Sequence, residues 1–229
     1  MNAVDYDDIT LRTIYDQCCL CVRAARPQSA GRLDALPPEE RLLLERDGFC
    51  VSGARGAFID GWLLAFPTRH VTSLYHLSES ELRVLEGVLT SIRTLFARLY
   101  DSPLFAFEHG SPTDRTCHTG RCVDHAHLHC LPIRLGELGE LGQFPQSRIL
   151  SLSDLHEHRW PAEPYVLVTG EAETLVMYET GVIPSQWMRR LLATRVNVPD
   201  LWDWRVHPMP AVVDATNIRI GKRLRDDDL

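Results

Sequence analysis

Apolar and polar positions follow patterns along the chain that separate short strands from one long helix. From Ser78 to Leu99 apolar residues recur at steps of three and four, the period of a helix with one buried face. Ser78 and Glu81 have the spacing of a capping box, which predicts the start of this helix. Short apolar runs predict strands at residues 49–51, 57–66, 104–107 and 126–133. The pattern predicts an α+β fold with an antiparallel sheet.

The rest of the chain predicts shorter elements. Residues 37–46 begin with prolines and acids and predict a short helix that ends at a following Asp-Gly pair. The glycine-rich residues 136–142 predict a linker, and residues 165–178 predict a hairpin around a central glycine. A proline in the first turn predicts a helix at 184–193. The charge-rich residues 221–229 predict a frayed, solvated tail.

Three histidines, His125, His127 and His129, occupy every second position of one predicted strand. In an extended chain alternate side chains share a face, so the three imidazoles are expected to project together. Imidazole changes its charge near neutral pH and serves as base, nucleophile or metal ligand. Two chemistries fit the triplet. Either all three histidines bind a metal ion, or the middle one attacks an electrophile while its neighbours hold anionic oxygens.

Cysteines suggest a second site near the N-terminus. Cys18 and Cys21 have the spacing of half a zinc site, which needs two further ligands. The alternative is that both are buried as small apolar residues. The loop at 111–122 contains another group, Cys117, His118 and Cys122, which either binds a different metal ion or belongs to a substrate loop with incidental thiols.

Composition narrows the class of protein. Arginine and lysine number 24 against 31 acidic residues, and the net charge of -7 disfavours general nucleic-acid binding. Seven cysteines, clustered near the N-terminus and the histidine triplet, favour metal and core roles in a reducing compartment over a disulfide framework. The acidic N-terminus has no apolar run, so neither a secretion signal nor a membrane anchor is expected. The predicted location is the cytoplasm.

The triplet also has an upstream companion, and together they resemble the histidine-triad (HIT) superfamily of nucleotide hydrolases and transferases. Gly61–Val71 is similar to the family's apolar strand that ends in Pro-x-x-His, and Phe107–Gly110 matches its strand with a glutamate. The resemblance covers roughly residues 15–135. It implies a HIT-like catalytic domain at 1–135, with a five-stranded antiparallel sheet and a long helix. Residues 136–229 look like the hairpin-helix extension of long bacterial and Cwf19-like members, packed on the same domain.

The resemblance implies a mechanism. His127 would attack the α-phosphorus of a nucleotide and form a nucleotidyl-imidazole that water hydrolyses, while His129 would hold a phosphate oxygen or assist the leaving group. The substrate would be a dinucleoside polyphosphate, a phosphoramidate or a nucleotide-linked metabolite, releasing a nucleoside monophosphate. The family's transferase branch typically has glutamine at the position of His129, so histidine there favours water as acceptor. A nucleotidyltransferase and a non-catalytic nucleotide-binding adaptor are the alternatives.

Further residues are assigned by the resemblance and by charge. A subset of the family completes a zinc site with the histidine of Pro-x-x-His and the first triad histidine, which implies a structural zinc on Cys18, Cys21, His70 and His125. Contacts with substrate phosphates are expected from Arg115, Arg121, Gln186, Arg189 and Arg190. Many relatives are dimers joined through the long helix and an edge strand, so a homodimer is expected.

Overall fold

The computed structural model describes residues 18–25, 36–111, 123–134, 139–156, 164–169, 175–180 and 183–226. These ranges contain four α-helices: α1 (Cys19–Ala25), α2 (Glu79–Tyr100), α3 (Trp187–Arg195) and α4 (Pro210–Asp226). Their strands are β1 (Leu42–Arg46), β2 (Phe49–Gly53), β3 (Leu63–Pro67), β4 (Leu104–Gly110), β5 (Leu128–Pro132), β6 (Gln146–Ile149), β7 (Tyr165–Thr169) and β8 (Leu175–Glu179). Single turns of 3-10 helix include Pro38–Glu40 and Pro199–Trp202.

The strands form one antiparallel sheet in the order β1-β2-β3-β5-β4-β7-β8-β6. The α+β class and the antiparallel sheet are therefore confirmed, but the predicted five strands are wrong, because eight are present. Strands β6, β7 and β8 follow the histidine triplet in the chain and extend the sheet through the β4–β7 pair, in which Phe107 lies opposite Val168. The predicted hairpin is confirmed as β7 and β8. The part of the chain after the triplet therefore contributes three strands to the same sheet.

Both faces of the central strands are buried, which explains why these strands are apolar at consecutive positions. The capped helix α2 covers one face and packs Leu85, Leu89 and Phe96 against alternate residues of the strands. Its predicted capping box is confirmed: Ser78 Oγ accepts a hydrogen bond from the Glu81 amide, and the Glu81 carboxylate accepts from the Ser78 amide. Helix α3 lies against the opposite face and buries Met188 and Leu192 there.

The predicted helix at 37–46 is wrong. Only Pro38–Glu40 forms a helical turn, and Leu42–Arg46 is the edge strand β1. Asp47 and Gly48 both have positive φ, 48° and 84°, so they form the two-residue turn of a hairpin between β1 and β2. The Asp-Gly pair marks this turn rather than the end of a helix.

Other boundaries also differ from the sequence prediction. The predicted strand at 57–66 begins only at Leu63, and the predicted strand at 126–133 begins at Leu128. The predicted frayed tail is wrong for 221–226, because α4 continues to Asp226 and buries Val213 and Ile220. The helix predicted at 184–193 is present as α3, and the predicted linker at 136–142 contains a buried residue, Leu141. Among the described helices, none has the length and apolar character needed to span a bilayer.

Candidate functional site

The three histidines of the triplet lie in two different surroundings. His129 is in β5, opposite Leu64 of β3 and Phe107 of β4, whereas His125 and His127 precede the strand. All three are buried. The rings of His127 and His129 lie 4.9 Å apart, while the ring of His125 lies 5.3 Å from that of His70. The triplet therefore does not act as one three-histidine metal site, and its first member joins a separate group.

That separate group is the cluster of Cys18, Cys21, His70 and His125, whose ligand atoms all lie within 4.8 Å of one another. Three sulfur to Nδ1 distances in it are 3.4 Å each. A tetrahedral zinc with sulfur and nitrogen ligands requires edges of about 3.5 Å, so the donor atoms fit such an ion. The structure brings together all four predicted ligands: Cys18 just before α1, Cys21 in α1, His70 after β3 and His125 before β5.

Proton positions in this cluster also suit metal binding. His125 Nε2 lies 2.8 Å from the Pro67 carbonyl, which only accepts, so Nε2 carries the hydrogen and Nδ1 presents its lone pair to the thiols. A ligand histidine held in this way by a backbone carbonyl is the usual outer support of a metal site. The hydrogen bond with the Cys21 thiol lowers the pKa of Cys18. The four residues can hold a metal ion. Which metal they would hold is inferred from the chemistry of their sulfur and nitrogen donor atoms.

His127 is held in one tautomer by its own chain. Its Nδ1 lies 2.6 Å from the carbonyl oxygen of His125, which can only accept, so Nδ1–H donates. The lone pair of the ring is then on Nε2. His127 also lines the main cavity of the site. A neutral imidazole with its lone pair on Nε2 and its Nδ1–H oriented by a carbonyl is prepared to act as a nucleophile.

His129 is held in the complementary tautomer by Trp62. The indole Nε1–H of Trp62 donates to His129 Nδ1 at 3.0 Å, and indole nitrogen cannot accept. Nε2 of His129 therefore carries the hydrogen. Burial lowers the pKa of His129 well below 6.5, and the charges of His127, Arg189 and His109 act in the same direction. With its ring stacked on Phe107 at 4.5 Å, His129 is a fixed, neutral hydrogen-bond donor.

A cavity of about 310 Å³ adjoins the two histidines, a size typical of small-molecule sites. It is lined by Cys19, Leu20, Val22, Arg23, Glu39, Glu40, Ala54, Arg55, Leu64, Val123, His127, His129, Arg189 and Trp204. Helix α1 forms one wall, and Arg189 and Trp204 come from the part of the chain after the triplet. Three arginines and two glutamates make the lining of the cavity strongly charged, alongside its apolar residues.

Arg189, a predicted substrate contact, is the charged group placed beside His129. It is 2% exposed, its Nε donates to the Trp202 carbonyl at 2.8 Å, and its Nη2 donates to the Gly56 carbonyl. Its guanidinium lies 4.5 Å from the centre of the Trp62 ring. Gly56 has a φ of +70°, and a Cβ there would lie 2.4 Å from Trp204 Cβ, so this close approach requires glycine.

The remaining predicted contacts lie elsewhere. Gln186 is buried and donates to Asp203 Oδ1 at 3.0 Å, while its Oε1 accepts from the Trp204 amide. Arg190 is exposed and stacks on the ring of Trp202 at 3.2 Å. Neither is among the described residues that line the cavity. The other predicted residues of the loop, Arg115, Arg121, Cys117, His118 and Cys122, lie outside the described residues.

Sequence reasoning missed four residues of this site. Trp62 belongs to the apolar segment Gly61–Val71, and its hydrogen bond to His129 joins positions that are 67 residues apart. Arg23 follows the cysteine pair and carried no motif of its own. Glu39 falls in the predicted start of a short helix, and Trp204 has no motif of its own. An indole, a guanidinium and a carboxylate next to apolar residues have no recognisable spacing, so no local signal identifies them.

No protein-family model matches the chain, and no curated protein matches it. Among solved structures, it is similar to a hypothetical histidine triad nucleotide-binding protein from Sulfolobus tokodaii, with 18% identity and a TM-score of 0.35. That match covers 42% of this chain and 62% of the other. A Hit-like protein involved in cell-cycle regulation from Bartonella henselae shares 14% identity, with a TM-score of 0.36 and coverage of 42% and 70%.

A third similar structure is yeast Ap4A phosphorylase Apa2 in complex with AMP, with 12% identity and a TM-score of 0.41. It covers 66% of this chain, and this chain spans 64% of its length. The chain thus spans less than two thirds of the Sulfolobus and yeast proteins. At these TM-scores, similarity assigns no activity, and any assignment depends on the geometry of the site.

Proposed function

We propose that the protein is a HIT-type nucleotide phosphohydrolase that works through a nucleotidyl-histidine on His127. The observation that carries this proposal is the pair of complementary tautomers at one cavity. His127 presents a lone pair on Nε2, His129 presents an N–H, and both residues line the same cavity. A nucleophile next to fixed donors is the arrangement that substitution at a phosphoryl group requires.

The first step is an in-line attack of His127 Nε2 on the α-phosphorus. The nitrogen lone pair forms the N–P bond, and the leaving group departs with the electron pair of its bond to phosphorus. The ring becomes cationic, and the His125 carbonyl, 2.6 Å from Nδ1, stabilises that charge. The Nε2–H of His129 and the guanidinium of Arg189 stabilise the non-bridging oxygens. Water then attacks the same phosphorus and gives up a proton to solvent, the N–P electrons return to His127, and a nucleoside monophosphate is released.

The metal site would have a structural role in this mechanism. Zinc is the ion that best suits two thiolates and two imidazoles in a closed tetrahedral set. Bound there, it would supply a crosslink between α1, which forms a wall of the cavity, and His125, which orients His127. Four protein ligands leave no open position for a catalytic water.

Other contacts and properties remain predictions. Among the predicted phosphate contacts that the structure describes, Arg189 lines the cavity, whereas Gln186 accepts from the Trp204 amide and Arg190 stacks on Trp202. Phosphate contacts from Arg115 and Arg121 belong to the proposal as well. So do a homodimer, a cytoplasmic location and the lack of general nucleic-acid binding.

The direct test is to trap the intermediate. The full-length protein is incubated with dinucleoside polyphosphates, nucleoside phosphoramidates and nucleotide sugars, quenched in alkali, and its intact mass is measured. We expect a mass increase of one nucleotidyl group, mapped to His127, together with release of the nucleoside monophosphate. Turnover without any adduct would contradict the covalent mechanism, and tight nucleotide binding without turnover would favour the adaptor.

One observation favours the transferase alternative. With Nδ1 accepting from Trp62 and Nε2 donating, His129 presents the same acceptor and donor pair as the amide of glutamine. His129 is thus held in a tautomer whose hydrogen-bonding pattern a glutamine side chain could reproduce. Products formed with and without inorganic phosphate, pyrophosphate or a sugar phosphate distinguish the two reactions, because a transferase forms a new nucleotide only when its acceptor is present.

The same geometry predicts how His129 tolerates substitution. His129→Gln is expected to retain turnover within about tenfold, because its amide can accept from Trp62 and donate to a phosphate oxygen. His129→Leu keeps a similar volume without a donor, and a loss of about 100-fold or more is expected. Steady-state rates of the two variants measure this difference. Equal losses in both would indicate that His129 acts by exchanging a proton.

A further inference from the structure

One part of the cavity contains a buried cation that the reaction at His127 does not use. Arg23, on α1, is 6% exposed and lies 5.9 Å from the centre of the Phe66 ring. Its Nη1 donates to Ser52 Oγ at 2.6 Å, but its Nε has no hydrogen-bond partner within the described ranges. A guanidinium removed from water is stabilised only when acceptors surround it. Arg23 therefore favours a ligand that brings acceptor atoms.

An acceptor lines the same cavity. The side chain of Glu39 is 16% exposed, and its ion-pair partner Arg55 lies 3.8 Å away, which is too far for a hydrogen bond. Glu39 influences Arg23 electrostatically, yet the two form no ion pair among the described residues. The carboxylate can accept from N–H donors of a ligand. Arg23 and Glu39 thus line the same cavity, but no hydrogen bond or ion pair joins them within the described residues.

Apolar side chains line the cavity around these two charges. Leu20 and Val22 come from α1, Leu64 from β3, and Trp204 from the segment after α3. The indole Nε1 of Trp204 is buried and also lacks a partner within the described part of the chain. Apolar walls with a few fixed polar groups are the usual surroundings of a heteroaromatic ring.

We propose that this part of the cavity binds the base of the nucleotide and selects guanine. Guanine offers the acceptors O6 and N7, which suit the guanidinium of Arg23, and N–H donors at N1 and the 2-amino group, which suit Glu39. Adenine has a donor amine in place of O6, and a uracil ring lacks the 2-amino group. The inference rests on the proposed function, because it takes the bound molecule to be a nucleotide.

Equilibrium binding of GMP, IMP, AMP and UMP to the full-length protein tests the proposal without any turnover. GMP is expected to bind about tenfold or more tightly than AMP, with IMP weaker than GMP because it lacks the 2-amino group. Glu39→Gln should weaken GMP binding about tenfold and leave AMP binding unchanged. Glu45→Gln, an exposed glutamate on the neighbouring strand β1, is the matched control and should change neither.

The outcomes separate this inference from the proposed reaction. AMP binding as tight as GMP binding, or a Glu39→Gln change that affects both equally, overturns the selection of guanine and leaves the chemistry at His127 intact. No binding of any of the four monophosphates at millimolar concentration overturns the proposed function and this inference together. Arg23→Met is a second variant, expected to lower GMP affinity more than AMP affinity. If it does not fold, Glu39→Gln decides the question.

Discussion

His127→Gly is expected to lower nucleoside monophosphate release by about 1000-fold or more, the largest effect of any single substitution in this site. The variant loses the lone pair that forms the bond to phosphorus, while His129 and Arg189 still stabilise the phosphate. Added imidazole can enter the space that the side chain leaves and attack in its place. Substrate cleavage should then be restored in proportion to imidazole, with free nucleotidyl-imidazole in place of the monophosphate as the product, measurable by phosphorus NMR.

Two controls make this result specific. The glycine variant should carry the same metal content as the wild type and bind nucleotide with similar affinity, since His127 is not a ligand of the metal cluster. His129→Leu leaves the nucleophile in place, so its residual activity should not respond to imidazole. A glycine variant that keeps more than about a tenth of the wild-type rate would show that another group forms the bond.

The histidine triplet and the cysteine pair could be predicted because their chemistry is encoded in short spacings. Cys18 immediately precedes α1 and Cys21 lies in its first turn, and both thiols lie 3.4 Å from His125 Nδ1. His125 and His127 are also close in sequence, and the structure adds only that one ring faces the thiols and the other the cavity. The prediction that all three imidazoles share one face did not allow for the bend at residues 123–125, before β5 begins.

Elements determined by distant partners could not be predicted in the same way. Leu42–Leu44 is a short apolar run that suits a strand or a buried helical turn equally, and pairing with β2 decides for the strand. Arg23 meets Ser52 only in the folded sheet. Trp204 reaches the cavity because Gly56 permits a close backbone approach. Such contacts join segments whose sequences carry no sign of one another.

The second large expected effect is on stability and concerns the metal cluster. Cys21→Ser is expected to lose the metal ion and to lower the free energy of unfolding by about 3 kcal/mol, one ligand's share of the about 10–16 kcal/mol that structural zinc contributes in small domains. The ion would join α1 to His70 and His125, which are 49 and 104 residues from Cys21. Metal content and urea unfolding of the purified variant measure both effects.

Cys19→Ser is the matched control, because Cys19 is an exposed thiol on the same helix and outside the cluster. It should keep one metal ion per chain and change stability by less than about 0.5 kcal/mol. A Cys21→Ser chain that retains full metal content and wild-type stability would contradict the four-ligand site. His125 extends the argument to catalysis: its ring belongs to the cluster, and its carbonyl fixes the tautomer of His127. Loss of the metal should therefore reduce turnover as well as stability, although no ligand position is open to substrate.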